Sequence, residues 1–213
     1  MPTSADLKPP AMVMAPELQF VSPAISLWHT HDPAVKAELF STALRLDDRL
    51  FLVDPVPLAG LAWVELTRDA RVSGIFVTNA NHERGVQELA AESGAAVLAA
   101  PAAASALWNL ETVCVEAGDQ VGERIRVIEI EGAVEGEIAL HFPDEGGTLI
   151  LGDALINFGS NGFALLPPKY CSDQEQMRRS LRQLLDFSFE RLLFAHGPPI
   201  MDAARTKLEQ LLG

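Results

Sequence analysis

The chain has 213 residues, 48% of them apolar, and a formal net charge of −13 from 16 Lys and Arg against 29 Asp and Glu. That length suits one domain with a substantial core, and the acidic balance excludes phosphate-backbone binding, which relies on clustered cations, so no nucleic-acid partner is expected. Residues 1–16 are proline-rich and read as a loose tail ahead of a single domain over 17–213, and their apolar run Ala11 to Ala15 is too short for a signal-peptide core. Gly94 to Trp108 is uncharged, but it is shorter than the roughly 20 residues a bilayer requires and is interrupted by Pro101. No membrane partner and a cytoplasmic location follow as expectations. Cys114 and Cys171 show no metal-ligand spacing and read as buried small hydrophobes in a reducing compartment.

Ala24 to Trp28, Ala37 to Leu46 and Arg49 to Asp54 read as three strands of a meander, with Asp47-Asp48 as the tight turn. Asp54-Pro55 closes the third strand, and Pro57 opens a helix through Leu61, Val64 and Leu66. Ile75 to Val77 is a short buried strand that ends at Thr78 in a polar loop and runs into a helix over Glu83 to Ser93, with Gly94 as terminator and Ala96 to Ala99 as the next strand. Val121 to Ile130 alternates like a half-buried strand, while Glu137 to Phe142 and Thr148 to Gly152 form a hairpin. Ser172 and Glu175 fit a capping box before an amphipathic helix, followed by a strand over Arg191 to Ala195 and a terminal helix over Met201 to Leu212. Arg49–Asp54 and Thr148–Asp153 each place an aspartate at the end of an apolar strand, a weak sign of internal duplication.

Strand, polar loop, helix is where α/β proteins put their chemistry. The loop here reads Thr78-Asn79-Ala80-Asn81-His82-Glu83-Arg84-Gly85. It resembles the metallo-β-lactamase superfamily signature, a Thr followed by H-x-H-x-D-H at a strand end, and the resemblance continues through Ala133-Val-Glu-Gly136, Gly152-Asp153 and His196-Gly197. It implies an α/β fold, an αββα sandwich of two mixed β-sheets with outer helices, from about Ala24 to the C-terminus.

The resemblance also implies where metal ligands belong, and most are replaced. Asn79 and Asn81 stand for the leading histidines, Glu83 for the Asp, Arg84 for the last His of the motif and Ala133 for a third His; Asp153 and His196 remain. Neutral amides are weak zinc ligands, so the first metal position is expected to be lost. His82 falls on a spacer position and reads as a polar loop residue before a rescue ligand. The vestigial cleft therefore comprises Asn79, Asn81, His82, Glu83, Arg84, Ala133, Asp153 and His196, with no catalytic residue assigned and an Arg84 to Asp153 ion pair expected in place of metal charge. His29 and His31 read as an exposed loop, His141 as solvent-facing, and Trp28, Trp63, Trp108 and Tyr170 as core or interface.

The reading is a degenerate, pseudoenzyme-like protein with no cofactor and a binding or assembly role, which allows a small-molecule ligand and a homodimer. The alternative is a hydrolase of an ester, thioester or lactone, with one zinc or other transition metal held by Glu83, Asp153 and His196.

Overall fold

The computed structural model describes residues 13–213. Seven strands form the first sheet in sequence order: β1 (Gln19–Phe20), β2 (Ile25–Asp32), β3 (Ala37–Leu46), β4 (Arg49–Val53), β5 (Arg71–Val77), β6 (Ala96–Ala99) and β7 (Thr112–Cys114). The first four pair antiparallel and the last four parallel, so the sheet is mixed. Helices α1 (Gly60–Thr67), α2 (Val86–Ser93) and α3 (Pro101–Ala106) make its parallel crossovers.

The second sheet holds β8 (Gln120–Val121), β9 (Ile125–Glu129), β10 (Ile138–Phe142), β11 (Thr148–Leu151) and β14 (Arg191–Phe194), in the order β14-β11-β10-β9-β8. Only the β11–β14 pair is parallel. A small hairpin, β12 (Leu155–Asn157) and β13 (Phe163–Leu165), precedes α4 (Gln174–Arg182), and α5 (Ala204–Leu212) closes the chain.

Strand alternation builds the layers. On β5, Ile75 and Val77 point outward to a core shared with Leu66, Val86, Leu89 and Leu107. Phe76 between them points inward, meeting Phe51, Leu140, Phe142 and Leu193 between the two sheets. A third cluster joins Ile128, Leu149 and Phe194 to Met177, Leu181 and Leu208 on α4 and α5. Three apolar layers separate four structural ones, the αββα sandwich, and each fully buried Leu, Ile or Phe contributes about 1.5–3 kcal/mol.

Several local expectations shift. The first long strand runs on through His29 and His31, so these are strand residues; both are exposed and face Glu38 on β3 at 3.2 and 2.9 Å. The cap of α4 is Asp173, whose carboxylate accepts from the Gln176 amide, rather than Ser172. His141 is buried, with Nε2 2.9 Å from the Ser188 carbonyl oxygen. Trp28 is core, but Trp108 is 86% exposed, and Cys114 is exposed rather than buried. Most of the expected tail lies outside the described residues; Ala15 is buried, donating to the Pro57 carbonyl and accepting from the Ala59 amide. Among the described residues no helix is long and apolar enough to cross a membrane.

Candidate metal centre

The two sheets meet at the carboxyl ends of β5, β11 and β14. The Ile138 amide donates to the Thr78 carbonyl, Ala80 to Glu135, and Phe40 to Ala195, so loops from both sheets are stitched along one edge. Asp153 follows β11 and His196 follows β14; because these strands are parallel, both residues leave the sheet on the same side. Gly197 is obligatory here: at φ +95° a Cβ would lie 1.7 Å from the Asn157 carbonyl oxygen.

His82 occupies the centre. The loop curls so that the His82 amide donates to the Asn79 carbonyl, and the imidazole is buried, only 3% exposed. Its Nδ1 lies 2.9 Å from Asp54 Oδ2 and 2.9 Å from Thr78 Oγ1. Asp54, at the end of β4, also accepts from the Thr78 amide at 2.9 Å and its hydroxyl at 2.5 Å. An ionised carboxylate only accepts, so the Asp54 partner places the proton on His82 Nδ1 and turns Nε2 toward the cleft. There Nε2 sits 3.2 Å from Asp153 Oδ1 yet is out of line for a hydrogen bond, a buried nitrogen without a hydrogen-bond partner.

His196 repeats the arrangement from the other sheet. Its Nδ1 lies 3.2 Å from the Glu38 carbonyl oxygen, which also only accepts, and its Nε2 is 3.2 Å from the same Asp153 Oδ1. The His82, Asp153 and His196 donor atoms all lie within 4.8 Å of one another. Two imidazole lone pairs and a carboxylate oxygen facing one point repel each other unless a cation sits among them. That cation is a metal ion or a proton on nitrogen. Two imidazoles and a carboxylate, each imidazole anchored through its other nitrogen, could serve as the donor set and supporting shell for a transition-metal ion.

Titration follows from this geometry. Burial opposes a charged His82, but Asp54 and Asp153 outweigh it and the neighbouring Arg84, pushing the imidazole up to about 9. Burial would raise the Asp153 carboxyl, yet the charge of His82 and the His196 and His82 contacts hold it well below the usual range. Burial likewise opposes ionisation of Asp54, and His82, Arg84 and Thr78 overcome it.

The rest of the motif is arranged differently from expectation. Arg84 does not pair with Asp153: its guanidinium donates to the carbonyls of Phe40 at 2.7 Å, Asp54 at 2.9 Å and Ala195 at 3.2 Å, pinning the edges of both sheets from a left-handed backbone position at φ +41°. Glu83 points away, its carboxylate 3.5 Å from the Asn109 amide nitrogen, and the residue whose donor atom groups with those of Asp153 and His196 is His82. Ala133 belongs to the core under α4. Asn81 lies exposed at the cleft and gives its amide to Asn79 Oδ1, while Asn79 Nδ2 donates to Glu137 Oε2 at 2.7 Å. Both ends of the Asn79 side chain are thus engaged within the protein.

Glu137, which the motif did not indicate, lies against Asn79, with Oε1 accepting from Ala154. Burial first, then Asp153, pushes its carboxyl up to about 8. A Cβ on Gly152 would come within 2.6 Å of Thr78 Oγ1 and 2.8 Å of Glu137 Oε1, so only glycine admits this packing. Two sequence signals pointed here: Asp54, the strand-end twin of Asp153, and a glutamate opening the apolar run of β10.

A family model described as the metallo-beta-lactamase superfamily matches residues 19–213. Two curated hydroxyacylglutathione hydrolases from strains of Cereibacter sphaeroides are each 36% identical to it, over 135 residues (61% of this chain, 50% of that protein) and 122 residues (55% and 45%). The chain spans about half the length of these relatives. Among solved structures, a metallo-beta-lactamase from Pontibacter korlensis superposes with TM-score 0.71 at 14% identity, covering 92% of this chain and 98% of that one. A metallo-beta-lactamase family protein from Thermus thermophilus gives 0.65 at 21% identity, covering 91% and 79%.

Proposed function

The chain belongs to the metallo-β-lactamase superfamily, and within it we propose a hydrolase of an ester, thioester or lactone that works with a single transition-metal ion, zinc being the first choice. One observation carries this: two imidazoles fixed through Nδ1 present Nε2 to one oxygen of Asp153. His82, Asp153 and His196 would hold the ion, and it would supply Lewis-acid activation of water and of the substrate carbonyl.

The protein's residues supply the remainder. Asp54 and Thr78 hold His82 in the tautomer that exposes Nε2, and the Glu38 carbonyl does the same for His196. Asp153 stays ionised throughout the neutral range. Hydrolysis joins the oxygen of one water to the acyl carbon and breaks the bond from that carbon to the leaving oxygen or sulfur. One water proton goes to the leaving atom and the other to solvent as the acid ionises. The names of the curated relatives support a hydrolase.

The test is metal content and turnover on protein purified without chelator, stripped, and refilled with zinc. One equivalent per chain with ester or thioester hydrolysis that His82→Ala abolishes is the expected result; no tight zinc and no turnover would overturn the proposal. A second reading, a metal-free small-molecule binding protein, draws support from the cations His82 and Arg84, which balance Asp54 and Asp153 without any metal.

A further inference from the structure

The metal centre lies in a cleft of about 810 Å³, a volume that accommodates a drug-sized organic molecule. Its walls are Leu39, Val134, Ile156 and Leu166, and its mouth carries Val35, Phe158 and Tyr170, which are 62%, 51% and 59% exposed. Large apolar side chains left in water around a concave site gain from any apolar ligand that covers them.

Charge points the same way. Among the described residues lining the cleft, Arg84 is the one Arg or Lys, and its guanidinium is engaged by three backbone carbonyls. Asp32 stands in the lining, and Asp153 lies at the floor. Lys169, next to Tyr170 in the chain, holds its ammonium over the Tyr170 ring at 4.4 Å. With Arg84 engaged by carbonyls and His82 already faced by Asp54 and Asp153, an anionic ligand would enter a strongly acidic protein with little uncompensated positive charge in the lining to receive it. A glutathione conjugate, the substrate type in the names of the curated relatives, brings two carboxylates.

We propose that the substrate is an uncharged ester or lactone with an apolar acyl chain lying along Ile156, Phe158, Leu166 and Tyr170. The proposal rests on the hydrolase reading, and its test separates the two. Metal-free protein is titrated by calorimetry with uncharged methyl ketones of six, eight and ten carbons, which imitate the ester and cannot be hydrolysed, and with S-octylglutathione as the charged comparator.

Affinity for the ketones should rise about fourfold per methylene, and S-octylglutathione should bind at least about tenfold more weakly than 2-decanone. Phe158→Asp, at a surface position, should weaken 2-decanone about tenfold with zinc stoichiometry unchanged. Affinities that do not depend on chain length, or S-octylglutathione binding as tightly as the ketone, would overturn the substrate class. Zinc uptake in the same preparation reports separately on the hydrolase reading: chain-length-dependent binding without zinc uptake keeps the ligand class and refutes the enzyme. Zinc uptake with turnover of glutathione thioesters over neutral esters keeps the enzyme and refutes the substrate class.

Discussion

The cleft has two halves built on opposite principles. Around Asn79, Glu137 and Gly152 every polar atom discussed is matched within the protein: Asn79 gives Nδ2 to Glu137 and takes the Asn81 amide, and Glu137 takes the Ala154 amide. Around His82, Asp153 and His196 the matching stops one step short, and two Nε2 atoms and a carboxylate oxygen face a common point. The first half is a polar core that fills itself. The second is a socket whose outer nitrogens are fixed and whose inner ones still call for a cation. On the proposed reading, a motif whose ligand positions are mostly substituted would hold its metal by recruiting His82 from a spacer position.

That contrast can be broken experimentally, beginning at the residue that pins the sheet edges beside the socket. Arg84→Ala should destabilise by about 3–5 kcal/mol in chemical denaturation, because three carbonyls lose a charged donor and buried Asp54 loses a balancing cation. Arg84→Lys should recover only part, since an ammonium cannot span three acceptors as the guanidinium fork does. A cost under about 1 kcal/mol would mean water replaces Arg84 freely.

The halves themselves should dissociate. Asn79→Ala leaves Glu137 Oε2 without its donor and should cost about 1–3 kcal/mol while zinc stoichiometry is unchanged. His196→Ala, at a side chain 18% exposed and not part of the Asp54 network, should cost under about 1 kcal/mol yet remove tight zinc binding. The opposite pattern would locate the metal in the wrong half.

A gentler effect is the pH dependence of the metal-free protein. His82 is raised from 6.5 to about 9, so its contribution is complete below pH 6.5 and is lost as pH rises toward 9. Glu137, raised from 4.5 to about 8, adds a loss of the same sign between those values. Each group contributes at most about 1.4 kcal/mol per pH unit. Melts from pH 6.5 to 9 should therefore fall, and saturating zinc should remove the His82 part, because the ion takes the lone pair the proton would occupy. A fall confined to pH below about 8 and unchanged by zinc would show that His82 is neutral.

Much of the sandwich was legible because its layers follow strand alternation: Ile75, Phe76 and Val77 divide between outer and inner cores as period two requires. The edge that stitches the sheets, and the short β7, carry little pattern and were not legible. Within the site, Asp153 and His196 stand where the motif put them, but His82 was discounted because motif spacing assumes one loop register. The positive φ at Arg84 and the turn from Asn79 to His82 change that register, and no composition reports it. Glu137 escaped because its role depends on contact with Asn79, which is 58 residues away.

The most direct test of the central claim is a crystal of zinc-refilled protein with anomalous diffraction at the zinc edge. The account predicts one peak per chain, coordinated by His82 Nε2, Asp153 and His196 Nε2, and nothing beside Asn79 and Glu137. Two peaks, a peak at Asn79, or none with His82 hydrogen-bonded to Asp153 would contradict it.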